Sequence, residues 1–289
     1  MPVVHKLPSD LVIAMTEPGL DTTAGPVPLD QYMCKNIDNG GNDNTSALIG
    51  NLRWMKDNNG KGAMLDNLVG GERIDILGKG QGEPKDFVQV WEFMLRNKEQ
   101  LRKINVNTSH YEKRERIMDG KNGNIYDLYF KDNTDANALH AMVRDRFFGI
   151  DCVGFVANYM IYIGLWTKYE GVPISDWPIR FNKPVNGIDD IRMLNIVIWP
   201  SYHIAIIDRF VRKVDDKTVR VELCQSNGGG PKTNVFVHLT QSGVIDGRMR
   251  FNITDGVPKM NPAGSVFVCG MPDLSYSGPL MDVGPVTAS

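Results

Sequence analysis

A cysteine at the head of an apolar segment is the part of this sequence best suited to chemistry. Cys152 directly follows Asp151, and no charged residue occurs from Val153 to Trp166. Aspartate is a common N-cap, so the pattern predicts a helix that begins near Asp151 and is buried on all sides. In the first turn of such a helix, free backbone N–H groups and the helix dipole stabilise a thiolate. Cys152 is therefore a candidate nucleophile; the alternative is a structural cysteine in the core.

A thiolate nucleophile needs a base, and the base needs an orienting partner. His203 opens an apolar stretch typical of a strand, and the strand predicted next, "TVRVELCQSN", carries Gln225 and Asn227 at the end of one face. If that face belongs to the core, the carbonyl oxygen of Gln225 can accept the imidazole N–H and fix the histidine tautomer. Glu222 takes this position instead if the register slips by one residue, because a slip exchanges the two faces.

The remaining ionisable residues have structural interpretations. Asp151 is interpreted as a helix cap, because a carboxylate against the sulfur would raise the pKa of the thiol and oppose the mechanism. His140, on the flank of a predicted helix, and His238, in an apolar strand, are interpreted as structural. No cysteine pairing or zinc spacing is evident, which predicts free thiols. The cysteines interpreted as small buried residues are Cys34, Cys224 and Cys269.

Signals for helices dominate the first half of the chain, and signals for strands dominate the second half. Apolar spacing predicts a helix around Phe87–Leu95, and a cap at Thr134 or Asp135 begins another. "GKGQG" is predicted to be a loop, since it lacks the ending of a phosphate-binding loop. "RIMDGKNGNIYDLYF" reads as a hairpin. Strands are predicted over residues 191–199, 202–211, 217–226, 234–240 and 264–271. The predicted fold class is α+β.

Three segments resemble the NlpC/P60 cell-wall hydrolases and the related CHAP amidases. "DCVGF" resembles the D-C-S-G-F motif of NlpC/P60, and "IRMLNIVIWPSYHIAII" resembles the strand pair at the family's histidine. "VELCQSNGGG" is similar to the CHAP strand that ends in an acid or amide and then Asn. The resemblance covers residues 146–270. It matches Cys152 to the nucleophile, His203 to the base, Gln225 to the third position and Asn227 to a supporting amide.

The resemblance implies a papain-like fold in which the buried helix that begins with the cysteine packs on an antiparallel sheet. The resemblance places the hydrolase domain at residues 121–275. Outside it, the sequence pattern predicts a helix-rich region of unknown role over residues 1–120 and a flexible tail over 276–289. The sequence departs from the family at Val153, which replaces serine, at Asn195, which replaces an aspartate, and at Gln225. These departures put the identity of the substrate in doubt.

The activity implied by the resemblance is a cysteine hydrolase that cleaves an amide bond in peptidoglycan stem peptides. The oxyanion would be held by the backbone N–H of Cys152 and one further donor. An alternative is a papain-like protease, deamidase or acyltransferase acting on proteins or lipids of a target cell. A third interpretation is a binding module without catalysis. None of the three requires a metal or another cofactor.

Composition and charge exclude other classes of protein. The net charge is −2 without a basic run, so no nucleic-acid partner is expected. The apolar stretch after Asp151 is shorter than the roughly 20 residues of a membrane helix, so no membrane span is expected. The first residues lack the pattern of a secretory signal. We therefore expect synthesis in the cytoplasm. The favoured expectation is export by a dedicated secretion system as an antibacterial toxin, with an immunity or delivery protein as partner, and the alternative is a phage lysin.

Overall fold

The structure of the chain is a computed structural model. It describes residues 3–31, 42–57, 64–107, 122–169, 171–200, 202–255, 265–271 and 275–276. The helices among them are α1 Pro8–Thr16, α2 Asn42–Arg53, α3 Leu65–Val69, α4 Gly71–Leu77, α5 Pro84–Arg96, α6 Asp135–Arg144, α7 Cys152–Tyr162 and α8 Trp177–Arg180. The strands are β1 Val3–Val4, β2 Leu20–Thr22, β3 Gly25–Val27, β4 Asn105–Asn107, β5 Asn122–Asn124, β6 Lys183–Pro184, β7 Ile196–Trp199, β8 His203–Lys213, β9 Thr218–Asn227, β10 Gly230–Ile245, β11 Arg248–Thr254, β12 Ser265–Gly270 and β13 Ser275–Tyr276.

The chain divides into two units that alternate along the sequence. The helical unit comprises Ile13–Asn158 and Ser226–Pro231. The barrel unit comprises Met1–Val12, Tyr159–Gln225 and Lys232–Ser289. The predicted hydrolase domain, residues 121–275, therefore contributes to both units.

The helical unit is organised around α5, whose residues explain both its start and its buried face. Pro84 occupies the first turn, and Glu83 and Asp86 form a reciprocal capping box. The buried residues of α5 follow helical spacing, as the sequence predicts, and include Phe87, Val90, Trp91 and Met94. Trp91 packs edge-on against Phe148, with 5.8 Å between ring centroids. This apolar face joins α5 to the core of the unit.

The barrel unit contains a seven-stranded sheet in the order β11-β10-β9-β8-β7-β12-β6. A further pairing of β11 with β12 closes β7 to β12 into a six-stranded barrel. Alternate residues fill the interior, as period-two patterning requires. In β8 these are Ala205 and Ile207, and in β9 they are Val219, Val221 and Leu223. The predicted core face of β9 is thus confirmed.

Helices and a barrel together form an α+β arrangement, whereas the papain-like fold stays a prediction. The helix that begins at Cys152 and the strands around His203 and Gln225 lie where the sequence predicts them. The hairpin prediction was wrong: Asn122–Asn124 pairs with Asn105–Asn107, outside the predicted hairpin, and Tyr126–Phe130 forms a π-helix whose Tyr129 and Phe130 are buried. Part of that hairpin, residues 116–121, lies outside the described residues.

Strand β11 was missed, although Met249, Phe251 and Ile253 alternate with polar residues there. In the described ranges, no helix is both long enough and apolar enough to cross a membrane.

Candidate active site

Cys152 is the first residue of α7 and is buried, and Asp151 occupies the position of the N-cap. The Oδ1 atom of Asp151 accepts a hydrogen bond from the backbone N–H of Gly154, three residues later, which is the usual contact of a capping side chain. Asp151 therefore holds the first turn of the helix, the role predicted from its type.

A glycine-rich loop wraps around this helix start. The backbone N–H of Asp151 donates to the carbonyl of Gly80 at 2.7 Å, and Nε2 of Gln81 donates to Oδ2 of Asp151 at 2.7 Å. The carbonyl of Gly82 accepts from Nδ2 of Asn158 at 2.9 Å, one helical turn beyond Gly154. We call residues 80–82 the cradle loop. It is the second part of the "GKGQG" segment, residues 78–82, which the sequence predicts as a loop but not as part of the site.

The cradle loop explains the glycine in "DCVGF". A Cβ atom on Gly154 would overlap the carbonyl oxygen of Gly80 and would lie 2.8 Å from Cα of Gln81. Only glycine therefore allows the loop backbone to approach the helix so closely. Two glycine-containing segments separated by about 70 residues in sequence are needed for this contact, and their glycines were the signal that could have revealed it.

Burial changes the acidity of Asp151. Removal of the carboxyl group from water is the largest effect, and it raises the pKa of Asp151 to about 7. Hydrogen bonds from Gly154, Gln81 and Val153 oppose this rise by stabilising the carboxylate. Near neutral pH, a substantial fraction of this side chain is uncharged and adds no negative charge beside the cysteine.

His203 and Gln225 meet in the barrel unit. His203 opens β8 and Gln225 lies near the end of β9, each in line with the interior residues of its strand. The Nε2 atom of His203 lies 2.6 Å from Oε1 of Gln225. An amide oxygen only accepts hydrogen bonds, so Nε2 carries the proton in this arrangement. In the neutral ring, the lone pair is then on Nδ1, which makes that nitrogen the basic one.

The surroundings of His203 keep its ring neutral. The residue is half-buried, and its ring centroid lies 4.9 Å from that of Trp199. Loss of water lowers the pKa of His203 to about 4, and the hydrogen bond with Gln225 partly offsets this effect. At neutral pH the ring can therefore accept a proton.

Glu222, the alternative third residue, points to the other face of β9. Its Oε1 accepts from the backbone N–H of Asn234 at 2.9 Å, and its Oε2 lies 3.6 Å from Nε of Arg209. Burial raises the pKa of Glu222. The register of β9 therefore brings Gln225, and not Glu222, to His203.

The last two residues of β9 belong to the helical unit. Ser226 is fully buried, and its hydroxyl donates to the carbonyl of Ile150 at 2.6 Å, two residues before Cys152. Asn227 is also buried, and its Oδ1 accepts from the backbone N–H of Gly229 at 3.4 Å. Asn227 thus stabilises the turn between β9 and β10. Of the predicted site residues, Cys152, Asp151 and Asn227 lie in the helical unit, and His203 and Gln225 lie in the barrel unit.

Two other cysteines are buried, and His140 and His238 each lie beside a carboxylate. Cys224 and Cys269 are free and buried, as predicted, and burial raises the pKa of each thiol, to about 11 for Cys269. His140 lies 3.6 Å from Asp30, and Nδ1 of His238 lies 2.6 Å from Asp255. The prediction for Cys34 lies outside the described residues. Within the described segments, no group of three or more His, Cys, Asp or Glu side chains is arranged to hold a metal ion.

Asn195, one of the departures from the family motif, is buried and structural. Its Oδ1 accepts from the backbone N–H of Arg192 at 2.7 Å. Comparisons of the chain with models of protein families, with curated proteins and with solved structures gave no match.

Proposed function

We propose that this protein is a cysteine hydrolase that cleaves an amide bond in peptidoglycan stem peptides. Cys152 is the nucleophile, His203 the general base and Gln225 the residue that orients the imidazole. The observation that carries the proposal is the 2.6 Å hydrogen bond between Nε2 of His203 and Oε1 of Gln225. A half-buried histidine whose Nε2 is held by an amide oxygen supplies the base and the orienting partner that a cysteine nucleophile requires. The substrate class rests on the NlpC/P60 resemblance alone.

The reaction proceeds through a thioester. Sγ of Cys152 attacks the carbonyl carbon of the amide while the thiol proton passes to Nδ1 of His203. The C–N bond breaks, the leaving nitrogen takes that proton, and the acyl group stays on sulfur. His203 then takes a proton from water, the resulting hydroxide attacks the thioester, and the thiol is regenerated with release of a carboxylic acid. The positive end of the α7 dipole favours the oxyanion in both steps.

The pKa of His203 indicates how the base works. Because that pKa is about 4, the resting ring is neutral at pH 7 and accepts the proton during attack. Gln225 supports this mode, since a neutral amide orients the ring without stabilising the imidazolium as a carboxylate would. Asp151 takes no part in proton transfer and serves as the cap of α7.

The proposed mechanism combines residues of both units. The mechanism requires Nδ1 of His203 to reach Sγ of Cys152, and this requirement can be tested in solution.

The test is the rate at which each cysteine is alkylated by iodoacetamide at pH 7, followed by peptide mass analysis. Cys152 is expected to react fastest, while Cys224 and Cys269 serve as internal controls because burial raises the pKa of both thiols. A Cys34→Ser background removes the fourth cysteine. His203→Ala is expected to slow the reaction of Cys152 about tenfold or more. If Cys152 reacts at the same rate in His203→Ala as in the unmodified protein, His203 is not the base. If Cys152 is as unreactive as Cys269, Cys152 is not the nucleophile.

A further inference from the structure

Strand β12 has a gap in its pairing within the barrel unit. One edge of β12 pairs with β7, from Phe267 to Cys269. The other edge pairs with β11 at Ser265 and Val266, and then with β6 at Cys269 and Gly270. Between these two pairings, Phe267 and Val268 meet no strand on that edge in the described part of the chain. Strands β11 and β6 thus leave a gap between them along this edge of β12, and we call this gap the fork.

A cavity of about 180 Å³ opens in this fork, and we call it the fork pocket. Its lining includes Gly247 and Arg248 from the start of β11, Lys183 from β6, and Val268 and Cys269 from β12. Drug-sized ligands occupy pockets of roughly 300–1,000 Å³. The fork pocket therefore suits a small molecule or the end of a longer chain.

The charge of the fork pocket is positive. Its lining contains the cations Lys183 and Arg248 and the amides Asn182 and Asn186, but no carboxylate. Neither cation forms an ion pair with a described carboxylate. Nη2 of Arg248 donates to the carbonyl of Pro178 at 3.5 Å, which is the limit of a hydrogen bond. Both side chains therefore have donors available for an anion.

A third cation increases this positive charge. Arg250 lies two residues after Arg248 on β11, and its guanidinium stacks over Phe267 at 4.7 Å from the ring centroid. Its Nε and Nη1 atoms are buried without a hydrogen-bond partner among the described residues. Arg248 lies over the same ring, at 5.7 Å. Arg248 and Arg250 on β11 and Lys183 on β6 have no carboxylate partner among the described residues, and together they favour a negatively charged ligand.

The apolar part of the lining restricts the anion further. Phe181, Val185, Met249 and Val268 complete the walls. Phe181, Val185 and Val268 are already buried in the fold, but Met249 keeps exposed surface that a carboxylate with a small apolar body would cover and a compact inorganic anion would not. The planar fork of arginine binds a carboxylate through two parallel hydrogen bonds.

We propose that the fork pocket binds the carboxylate of a small apolar ligand, with the C-terminal residue of a peptide as the model. Arg248 and Lys183 bind the carboxylate, and the free edge of β12 at Phe267 and Val268 offers backbone groups to the chain that follows. The site is distinct from the proposed catalytic base, because neither His203 nor Gln225 is among the residues that line the fork pocket.

The test is a titration of the full-length ¹⁵N-labelled protein, followed by NMR. The probes are N-acetylvaline, its isosteric amide N-acetylvalinamide, the free acid N-acetyl-Gly-Gly-Val and inorganic phosphate. Both free acids are expected to shift the amide signals of Gly247 and Val268, while the neutral amide binds at least about tenfold more weakly. Stronger binding of the tripeptide than of N-acetylvaline would identify a peptide terminus as the ligand, and equal binding a free small carboxylate.

Single substitutions test which side chains bind the carboxylate. Arg248→Gln is expected to weaken binding of N-acetylvaline at least about tenfold, and Lys183→Gln less than that. Arg212→Gln removes the same charge from an exposed position outside the pocket and is expected to change nothing. Cys152→Ala is expected to bind normally, so failure here is separate from failure of the proposed catalysis. Equal binding of acid and amide, phosphate binding as tight as that of the acid, an unaffected Arg248→Gln, or no saturable shift would each overturn the proposal.

Discussion

Nε2 of His203 and Oε1 of Gln225 lie 2.6 Å apart, and this one contact determines which nitrogen of the imidazole can act as a base. The amide oxygen holds the proton on Nε2 and leaves the lone pair on Nδ1. A glutamine achieves this without adding charge, so the ring stays neutral in its partly dry site. The pair therefore gives the protein a base that is available over the whole neutral pH range.

The pKa of His203 is the first prediction. NMR titration of its ring protons should give a pKa of about 4, well below the ordinary value of 6.5, because burial disfavours the charged ring. Gln225→Glu should raise this pKa by roughly 1 to 3, since a carboxylate stabilises the imidazolium. Glu222→Gln, on the opposite face of β9, is the matched control and should leave it unchanged. A value near 6.5 in the unmodified protein would contradict the described environment.

The same shift has a consequence for stability. The folded protein binds fewer protons at His203 than the unfolded chain does between about pH 4 and 6.5. The contribution of this group to the free energy of unfolding is therefore full above about pH 6.5 and is lost as the pH falls towards 4.

Asp151 should show the opposite dependence, and this is the second prediction. Its pKa is raised from 3.8 to about 7 in the folded state, so its contribution to stability decreases as the pH rises between these values. Asp151→Asn keeps a capping side chain but cannot ionise. Between these two pKa values, the unmodified protein should lose on the order of 1.4 kcal/mol of its free energy of unfolding per pH unit, and the variant should not. The variant should therefore become more stable than the unmodified protein as the pH rises above 5.

Urea unfolding at pH 5 and pH 8 measures this difference. Asp246→Asn, at an exposed turn, is the control and should follow the unmodified protein at both pH values. If Asp151→Asn also runs parallel to the unmodified protein, Asp151 is ionised in the fold and the described burial of its carboxyl group is wrong.

The third prediction concerns Gly154 and the cradle loop. Gly154→Ala would place a methyl group against Gly80 and Gln81, so the loop must move away from the start of α7. We expect a loss of about 1–3 kcal/mol in the free energy of unfolding, as for an overpacked core, together with slower alkylation of Cys152. Gly50→Ala is the control, because no atom lies within 4 Å of the added carbon. If Gly154→Ala is as stable as the control, the loop does not contact the helix as described.

The sequence predicts those parts of the site that depend on local patterns. The apolar run after Asp151 predicts a buried helix that begins at Cys152, and the alternation in "TVRVELCQSN" predicts which face carries Gln225. Both follow from the periodicity of a single element. The tautomer of His203 then follows from the amide placed beside it.

The parts that were not predicted depend on contacts between distant residues. The cradle loop lies about 70 residues before the helix that it covers, and no local pattern connects Gln81 with Asp151. Tyr126–Phe130 has the aromatic residues of a strand, yet burial of Tyr129 and Phe130 in the core of the helical unit favours a π-helix. The role of Asn227 in the β9–β10 turn likewise depends on how the strand ends.

The most direct test of the central claim is digestion of purified bacterial sacculi, with separation of the released fragments by mass. The account predicts that the unmodified protein releases fragments with a newly formed amine and carboxylic acid. Cys269→Ala, which removes a buried thiol of the barrel unit, should release the same fragments, and Cys152→Ala should release none. Release by Cys152→Ala would contradict the nucleophile. No release by the unmodified protein would contradict peptidoglycan as the substrate: rapid alkylation of Cys152 would then favour proteins or lipids of a target cell, and an inert Cys152 would favour a binding module.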